Sequence, residues 1–328
     1  MHDFTILVLH GAYASSVSIT LDMLAAAQSL SRQLNSPAPR WRLLIVGAAK
    51  AVLSNGLTIT GDQLKVSAAR SNRDKSIWIV PGLGLSSPDV LQMFLATPDA
   101  VQAANALSLH AKSGGSVAAS CSAVFLLQRA GLLVNKNVAT TWWLASELQR
   151  IAPTCKLVTK HLVVQDGNIT TAGAALAHCD LMLFLIRQKF GAQMAEAIAR
   201  TLLIDTRHAQ SHFILPSMMR VNDPMLLKIT EYLESVLPNT PPMRAIAQHF
   251  ALSDRSFARR VVTATGQSPI ALLQGIRLNR ARFLLEQGDL SVDEVAWKVG
   301  YSDSTALRRM MRKMTGMTPG NFRGGQFG

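Results

Sequence analysis

From Phe4 to about residue 210, short and almost wholly apolar runs alternate with segments whose apolar residues recur every three or four positions. Strands buried on both faces are apolar throughout, and intervening helices provide the crossovers that parallel pairing requires. The pattern therefore predicts an α/β doubly wound N-terminal domain. The predicted strands are Phe4–Leu9, Trp41–Val46, Ile77–Val80, Val117–Ala119 and Val138–Thr141; the predicted helices are Ile19–Leu34, Val90–Lys112, Val124–Ala130, Trp143–Ile151, Ala174–Phe190 and Ala192–Leu203.

Asp166-Gly167 separates two further β-branched runs, Leu162–Val164 and Ile169–Thr171, and Asp-Gly favours a two-residue hairpin turn. One antiparallel excursion is therefore expected beside the parallel strands.

The segment 216–223 breaks both periodicities, and everything after it has a helical pattern. We therefore predict an α/β domain at 1–215, a linker at 216–223 and an all-α domain at 224–328. The predicted helices of the second domain are Pro224–Leu237, Met243–Phe250, Asp254–Thr265, Pro269–Gln287, Val292–Val299 and Asp303–Thr315.

The second domain states one pattern twice, at about 243–265 and 292–315. Each copy is a short apolar-periodic helix, a tight turn and a second helix with paired arginines, which is typical of a helix-turn-helix unit. Ser253 and Ser302 are the expected N-caps of the second helices. Phe257 and Leu307 are expected to point inward.

The opposite face of each second helix is then available to DNA. Arginine binds guanine in bidentate fashion, and Ser or Thr can contact several base edges or phosphates. For Arg259 and Arg308, base reading and phosphate contact are both open, whereas Arg260, Arg312 and Lys313 favour phosphate contact. The candidate DNA-contacting residues are Arg255, Ala258, Arg259, Arg260, Ser304, Thr305, Arg308, Arg309 and Arg312.

Charge supports a polyanionic partner. The 328-residue chain has a formal net charge of +13, and the stretch 244–323 holds 13 Lys/Arg against 6 Asp/Glu. A solvated basic surface is the alternative, but the arginines are concentrated in the two predicted second helices. Three cysteines without metal-ligand spacing predict a reducing, cytoplasmic location, no disulfide framework and no metal site. We also expect no cofactor. The apolar stretch at 174–186 is too short to span a membrane.

The second domain resembles the AraC/XylS family of transcription regulators. The resemblance rests on Leu252-Ser253-x-Arg255-x-Phe257-x-Arg259, on Arg277-Leu278-x-x-Ala281-x-x-Leu284-Leu285, on the run from Val292 to Asp303 and on Gly316-Met317-Thr318-Pro319. In that family a long helix, here Pro269–Gln287, holds two helix-turn-helix units one DNA turn apart. The sequence departs from the family where Ala306-Leu307 and Met310-Met311 replace an aromatic pair.

The first domain resembles the ThiJ/PfpI members of the class I glutamine amidotransferase-like fold, which is flavodoxin-like. The resemblance rests on Ile77-Trp78-Ile79-Val80-Pro81-Gly82, on Ala118 to Ala123, on Val138 to Trp142 and on Ile169 to Gly173. A domain of this kind joined to an AraC-type domain is similar to the GlxA-like subgroup of regulators.

The resemblance places Cys121 at the strand-to-helix turn where catalytic relatives carry their nucleophile. The start of a helix would lower the thiol pKa. However, Ser122 follows the cysteine where peptidase-like members carry histidine, and Ser16 stands near the position of their glutamate. Trp142 replaces a histidine of the regulator subgroup and could stack on a ligand or belong to the core. His10, His178 and His208 are expected to be structural.

Without a base or an orienting acid we expect no catalytic residue and no enzyme activity. The cleft is expected instead to bind a small effector. The candidate effector-pocket residues are Ser16, Gly82, Ser120, Cys121, Ser122, Thr141 and Trp142.

Together these features predict a regulator, in the family usually an activator, that binds double-stranded promoter DNA, a small metabolite and RNA polymerase, forms a homodimer and does not bind membranes. A cysteine-dependent amidase or glyoxalase-type enzyme fused to a DNA-binding domain is the alternative, and a purely structural dimerisation module is a third reading of the first domain.

Overall fold

The computed structural model describes residues 2–65, 74–85, 87–141, 144–158, 161–204, 224–265, 267–315 and 317–323. The chain divides into two compact units, Met1–His208 and Ala209–Gly328. The predicted linker at 216–223 lies outside the described residues, so its boundaries stay a prediction.

A seven-stranded, mainly parallel sheet organises the first unit. Its strand order is β10-β11-β7-β6-β1-β2-β5, with all neighbours parallel except the β10–β11 pair. The fully buried β1 matches the expectation for a strand covered on both faces. The strands are β1 (Phe4–Val8), β2 (Trp41–Ile45), β3 (Lys50–Val52), β4 (Thr58–Thr60), β5 (Asp62–Gln63), β6 (Ile77–Val80), β7 (Ser116–Ser120), β8 (Asn137–Val138), β9 (Lys156–Leu157), β10 (Val163–Asp166) and β11 (Ile169–Ala172).

The predicted doubly wound sheet and the Asp166-Gly167 hairpin are confirmed. One strand prediction needs correction, and one ribbon was missed. The strand expected at Val138–Thr141 ends at Val138, since β8 pairs only with the short β9 in a separate sheet. The two-stranded β3–β4 ribbon was not predicted, because its residues are mostly exposed and carry little apolar signal.

Seven helices are described in the first unit: α1 (Ala14–Leu30), α2 (Pro88–Leu95), α3 (Pro98–Lys112), α4 (Val124–Arg129), α5 (Ala145–Ile151), α6 (Ala177–Phe190) and α7 (Ala192–Thr201). The single helix predicted over Val90–Lys112 is wrong. Thr97 caps α3 by accepting a bond from the Ala100 amide, and Pro98 at the first helical position has no amide hydrogen to continue the preceding helix. The helix predicted from Ile19 begins earlier, at Ala14.

The second unit is helical throughout its described residues. Its helices are α8 (Pro224–Ser235), α9 (Met243–His249), α10 (Asp254–Thr265), α11 (Pro269–Gln287), α12 (Val292–Lys298) and α13 (Ser304–Thr315), followed by a 3₁₀ turn at Pro319–Phe322. The bounds predicted for α10 and α11 are confirmed, since Asp254, Thr265, Pro269 and Gln287 are their terminal residues. The pairs α9–α10 and α12–α13 are the two helix-turn-helix units, and α11 connects them.

Among the described residues, no helix combines the length and the apolar character that crossing a membrane requires.

Candidate functional sites

The second helices of the two helix-turn-helix units, α10 and α13, each separate a buried face from a cationic face. Phe257 and Leu307 are buried, as predicted. The candidate DNA-contacting residues lie on the other side: Arg255, Arg259, Arg260, Thr305, Arg308, Arg309 and Arg312 are exposed, whereas Ala258 and Ser304 are half-buried. The exposed Lys313 extends the row in α13. A helix of this kind can present several cations to a polyanion at once.

Two small residues allow the first helix of each unit to lie close beneath the second. Ala247 in α9 and Ala296 in α12 are both fully buried. In the second helix-turn-helix unit, Met310 and Met311 both belong to the core with Leu307. Methionine suits this role because its unbranched chain adapts to irregular gaps.

The N-cap prediction is confirmed for the first helix-turn-helix unit and wrong for the second. Ser253 accepts a hydrogen bond from the Ser256 amide at 3.2 Å. At the start of α13 it is the Asp303 carboxylate, not Ser302, that accepts from the Ala306 amide, at 2.7 Å. The Ser302 hydroxyl instead donates to Asp303 at 3.1 Å. This hydrogen bonding lowers the pKa of the Asp303 carboxyl, with the backbone bond from Ala306 as the main cause.

In the first unit, the loops after β1 and β6 meet at the carboxyl edge of the sheet. Strand order reverses between these two strands, and such switch points form the usual ligand crevice of doubly wound folds. The Tyr13 amide donates to the Gly82 carbonyl at 2.7 Å. A Cβ on Gly82 would lie 3.1 Å from the Cys121 Cβ and 3.2 Å from Tyr13 Cδ2. The absence of a side chain at Gly82 thus allows both the Tyr13 ring and Cys121 to lie close to this backbone.

Cys121 begins the turn between β7 and α4 in a left-handed conformation, with φ +55°. A non-glycine residue rarely adopts this conformation, and strained residues of this kind cluster at functional sites. Its amide donates to the Gly173 carbonyl at 2.7 Å, and its carbonyl accepts from the Thr140 hydroxyl at 3.0 Å. The turn predicted for Cys121 is therefore present.

The expectation that the helix start lowers the pKa of the Cys121 thiol is wrong. Burial raises the pKa of the fully buried Cys121 thiol to about 11, because the apolar surroundings disfavour the thiolate. The favourable effect of Ser122 and Thr141 is smaller than this desolvation. Burial also raises the pKa of the half-buried Tyr13 phenol. The thiol and the phenol at this site are consequently neutral at physiological pH.

Two other predicted pocket residues carry buried hydroxyls for which the described part of the chain provides no hydrogen-bond partner. The Ser16 hydroxyl has none, although the residue is fully buried in α1. The Thr141 hydroxyl is close enough to favour the Cys121 thiolate but forms no hydrogen bond of good geometry. Buried polar groups are normally paired, so each of these groups could accept or donate a bond to a small ligand or water.

Ser120 and Ser122 have other roles. The Ser122 hydroxyl donates to the Leu83 carbonyl at 2.6 Å and accepts from its amide at 3.2 Å, which fixes the loop after β6. The Ser120 hydroxyl lies 2.8 Å from Nδ1 of His178, and Nε2 of His178 lies 2.6 Å from the Thr20 hydroxyl. Trp142 lies outside the described residues, so its predicted contact with an effector stays a prediction.

The pattern-based interpretation missed Tyr13, Thr140 and the connection made by His178. Thr20 also donates to the Ser16 carbonyl at 2.9 Å, so His178 links Ser120 on β7 to the first turn of α1. Burial lowers the pKa of His178 to about 4, which keeps its ring neutral. The one available signal was a polar residue interrupting the apolar pattern of α6.

Within the part of the chain that the structure describes, no group of three or more His, Cys, Asp or Glu residues has an arrangement suited to a metal ion.

Comparisons with known proteins agree with this two-unit arrangement. A profile of the DJ-1/PfpI family matches residues 5–188, and a profile of a helix-turn-helix domain matches residues 246–325. The HTH-type transcriptional regulator GbdR of Pseudomonas aeruginosa is 26% identical over 316 residues, which cover 94% of this chain and 82% of that protein. The HTH-type transcriptional regulator GlxA of Rhizobium meliloti is 28% identical over 206 residues, covering 62% of this chain and 63% of that protein.

A solved structure shares the fold. The AraC family transcriptional regulator from Pseudomonas putida has a TM-score of 0.51 and 20% sequence identity, covering 62% of this chain and 100% of that one. The DJ-1/PfpI match takes in more than half of the residues, from the strands of the sheet to the helix that carries His178. The chain therefore belongs to the DJ-1/PfpI family, and it joins that domain to a C-terminal helix-turn-helix domain of AraC type.

Proposed function

We propose that this protein is a DNA-binding transcription regulator whose first unit senses a small metabolite. The observation that carries the proposal is the pair of helices α10 and α13, each of which buries an apolar residue and exposes a row of arginines. The recurrence of this arrangement on either side of α11 supports contact with two successive major grooves of one duplex. The regulators GbdR and GlxA, which have similar sequences, support the same assignment.

The effector would bind at the carboxyl edge of the sheet, between Tyr13, Gly82 and the Cys121 turn. The unpaired hydroxyls of Ser16 and Thr141 support this location, since a bound ligand would complete their hydrogen bonding. The first unit would also form the homodimer, and the bound metabolite would alter how the DNA-binding units engage the promoter and RNA polymerase.

The first unit would act without chemistry of its own. A cysteine enzyme needs a thiolate, and burial holds the Cys121 thiol in its neutral form. The left-handed turn at Cys121 favours the enzyme alternative, because this geometry presents nucleophiles in related folds. The Cys121→Ala variant separates the two proposals: a sensor tolerates the loss of the thiol and keeps its DNA binding, whereas an amidase or glyoxalase loses turnover.

DNA binding is tested with the full chain. We expect the protein to enrich defined sequences from a random double-stranded oligonucleotide pool, with an affinity that falls steeply between about 50 and 200 mM salt. Failure to bind any duplex at low salt would refute the proposed function.

The effector site is tested by thermal shift of the full chain with amino acids, amines and quaternary ammonium compounds. A ligand that binds only the folded state raises the melting temperature. We expect Ser16→Ala and Thr141→Val to keep the stability of the free protein, because neither hydroxyl forms a well-made bond, and to reduce the shift produced by the ligand. The exposed Ser29 on the same helix as Ser16 gives a matched control, Ser29→Ala. An unchanged shift in both pocket variants would place the effector elsewhere.

A further inference from the structure

Arg277 lies midway along α11, the helix between the two helix-turn-helix units. It contacts one residue that precedes this helix in the chain and one that follows it. One side chain nitrogen donates to the Thr240 hydroxyl at 3.3 Å. Thr240 belongs to the segment that leads into α9, the first helix of the first helix-turn-helix unit. Arg277 is thereby joined to the entry of that unit.

The same guanidinium contacts the turn of the second helix-turn-helix unit. Its central carbon lies 5.3 Å from the centre of the Tyr301 ring, within the range of a cation–π interaction. Tyr301 follows Gly300 in the turn between α12 and α13. The Tyr301 hydroxyl donates to the side chain oxygen of Gln274, one turn before Arg277 on α11. Two contacts from α11 thus fix this aromatic residue.

Gly300 brings the three segments together. A Cβ at this position would lie 2.9 Å from the guanidinium nitrogen of Arg277 and 2.7 Å from the Pro238 carbonyl oxygen. The backbone of the second turn therefore runs directly against the Pro238–Thr240 segment, with Arg277 beside both. Any side chain here would displace one of them. Gly300 also has φ +84°, a left-handed conformation that favours glycine.

We propose that Arg277 is a positioning residue that fixes the second helix-turn-helix unit relative to the first and so sets the spacing of the two DNA segments that the protein accepts. The planar guanidinium suits this role because it can stack on Tyr301 and donate to Thr240 at once. The inference depends on the proposed DNA-binding function, and it concerns how the protein discriminates between spacings, not whether it binds DNA.

The experiment uses the full chain and a DNA site selected by the wild-type protein from a random duplex pool. If the wild type selects no site, the proposed function fails. If it does, one or two base pairs are inserted between the two DNA segments that the protein contacts. Each inserted base pair rotates the second segment by about 35° and moves it by about 3.4 Å. We expect the wild type to lose about tenfold or more in affinity for each altered spacing.

Arg277→Ala should bind the selected site more weakly and lose no more than about threefold between spacings. Arg277→Lys keeps the charge but not the planar group, so its spacing profile should resemble that of the alanine variant. This second variant tests the proposal even if Arg277→Ala fails to fold. Arg280→Ala removes the same charge from an exposed position on the same helix and should keep the wild-type profile. A wild-type profile in folded Arg277→Ala or Arg277→Lys, or a flattened profile in Arg280→Ala, would overturn the proposal.

Discussion

The hydroxyl of Ser120 and Nδ1 of His178 lie 2.8 Å apart at the end of β7, immediately before the turn that carries Cys121. His178 is fully buried and also lies within hydrogen-bond distance of Thr20, so its two ring nitrogens join β7 to α1. A neutral imidazole can donate at one nitrogen and accept at the other, which suits two hydroxyl partners.

This relationship predicts a loss of stability in mild acid. The folded pKa of His178 is about 4, against an ordinary value of 6.5. As the pH falls below 6.5 the unfolded chain takes up the proton first, so the stabilising contribution is present above pH 6.5 and is lost between pH 6.5 and 4. We expect the free energy of unfolding to fall by about 2 kcal/mol from this group between pH 7 and 5.

Urea unfolding of the full chain, followed by circular dichroism, measures this loss. His110 has its pKa lowered by burial too and contributes in the same direction, so the comparison must be with His178→Gln. That variant should be less stable at pH 7 but should lose less on acidification. An identical pH dependence in wild type and variant would contradict the prediction.

Cys121 is predicted to react slowly with alkylating reagents. A pKa of about 11, compared with the ordinary value of 9, leaves about a hundredfold less thiolate at pH 8. Iodoacetamide labelling of the native protein, quantified by mass spectrometry of the Cys121 peptide, should be far slower than labelling of the same protein in urea. Its rate should still be rising at pH 10. Fast labelling at pH 7 would instead indicate an activated thiol and favour the enzyme alternative.

Arg259 and Arg308 are exposed on equivalent helices, and their replacement by alanine should weaken binding to a selected site by about 1–3 kcal/mol each if they contact bases. Sequence preference should relax at the contacted positions. Competition binding against single-base variants of the site measures both effects. Lys228→Ala, which removes an exposed charge from α8, is the control. Equal weakening on all sequences with a smaller salt dependence would make both arginines phosphate contacts.

The cap of α13 gives a stability prediction with a built-in comparison. Asp303→Ala should lower the melting temperature by a few degrees because the Ala306 amide loses its acceptor, whereas Ser302→Ala should leave it nearly unchanged. Since the pKa of Asp303 is lowered, the difference between the two variants should persist at neutral pH and disappear in strong acid. The reverse order of melting temperatures would restore Ser302 as the cap.

Regular elements with a strong periodic signal could be predicted closely from the sequence. Ile77–Val80 forms a strand with the predicted bounds, as α10 and α11 form helices with theirs. The wrong predictions lie at helix ends, where the local capping interactions determine the structure. The pattern continues through Ala96 and Thr97, so only the capping geometry at Pro98 reveals two helices. Ser302 and Asp303 are adjacent and both able to cap, and the choice depends on where the turn places each side chain.

The candidate sites divide in the same way. The outward arginines follow from helical spacing alone, since a buried Phe257 or Leu307 dictates which positions face away. The properties of the cleft could not be predicted in this way, because they depend on desolvation by residues distant in sequence. The helix start near Cys121 suggested a lowered pKa, but burial dominates and raises it. His178 is separated from Ser120 by 58 positions, and no local pattern indicates their contact.

The crowding at Gly300 limits how this protein can diverge. A single methyl group there would collide with the Pro238 carbonyl oxygen in the segment that leads into the first helix-turn-helix unit and with the arginine of the connecting helix, so the damage would affect both units together. Changes in operator preference can thus arise by exchanging outward side chains on α10 and α13. The contact between Gly300, Arg277 and Pro238, which sets the relative positions of these helices, does not tolerate single substitutions at Gly300.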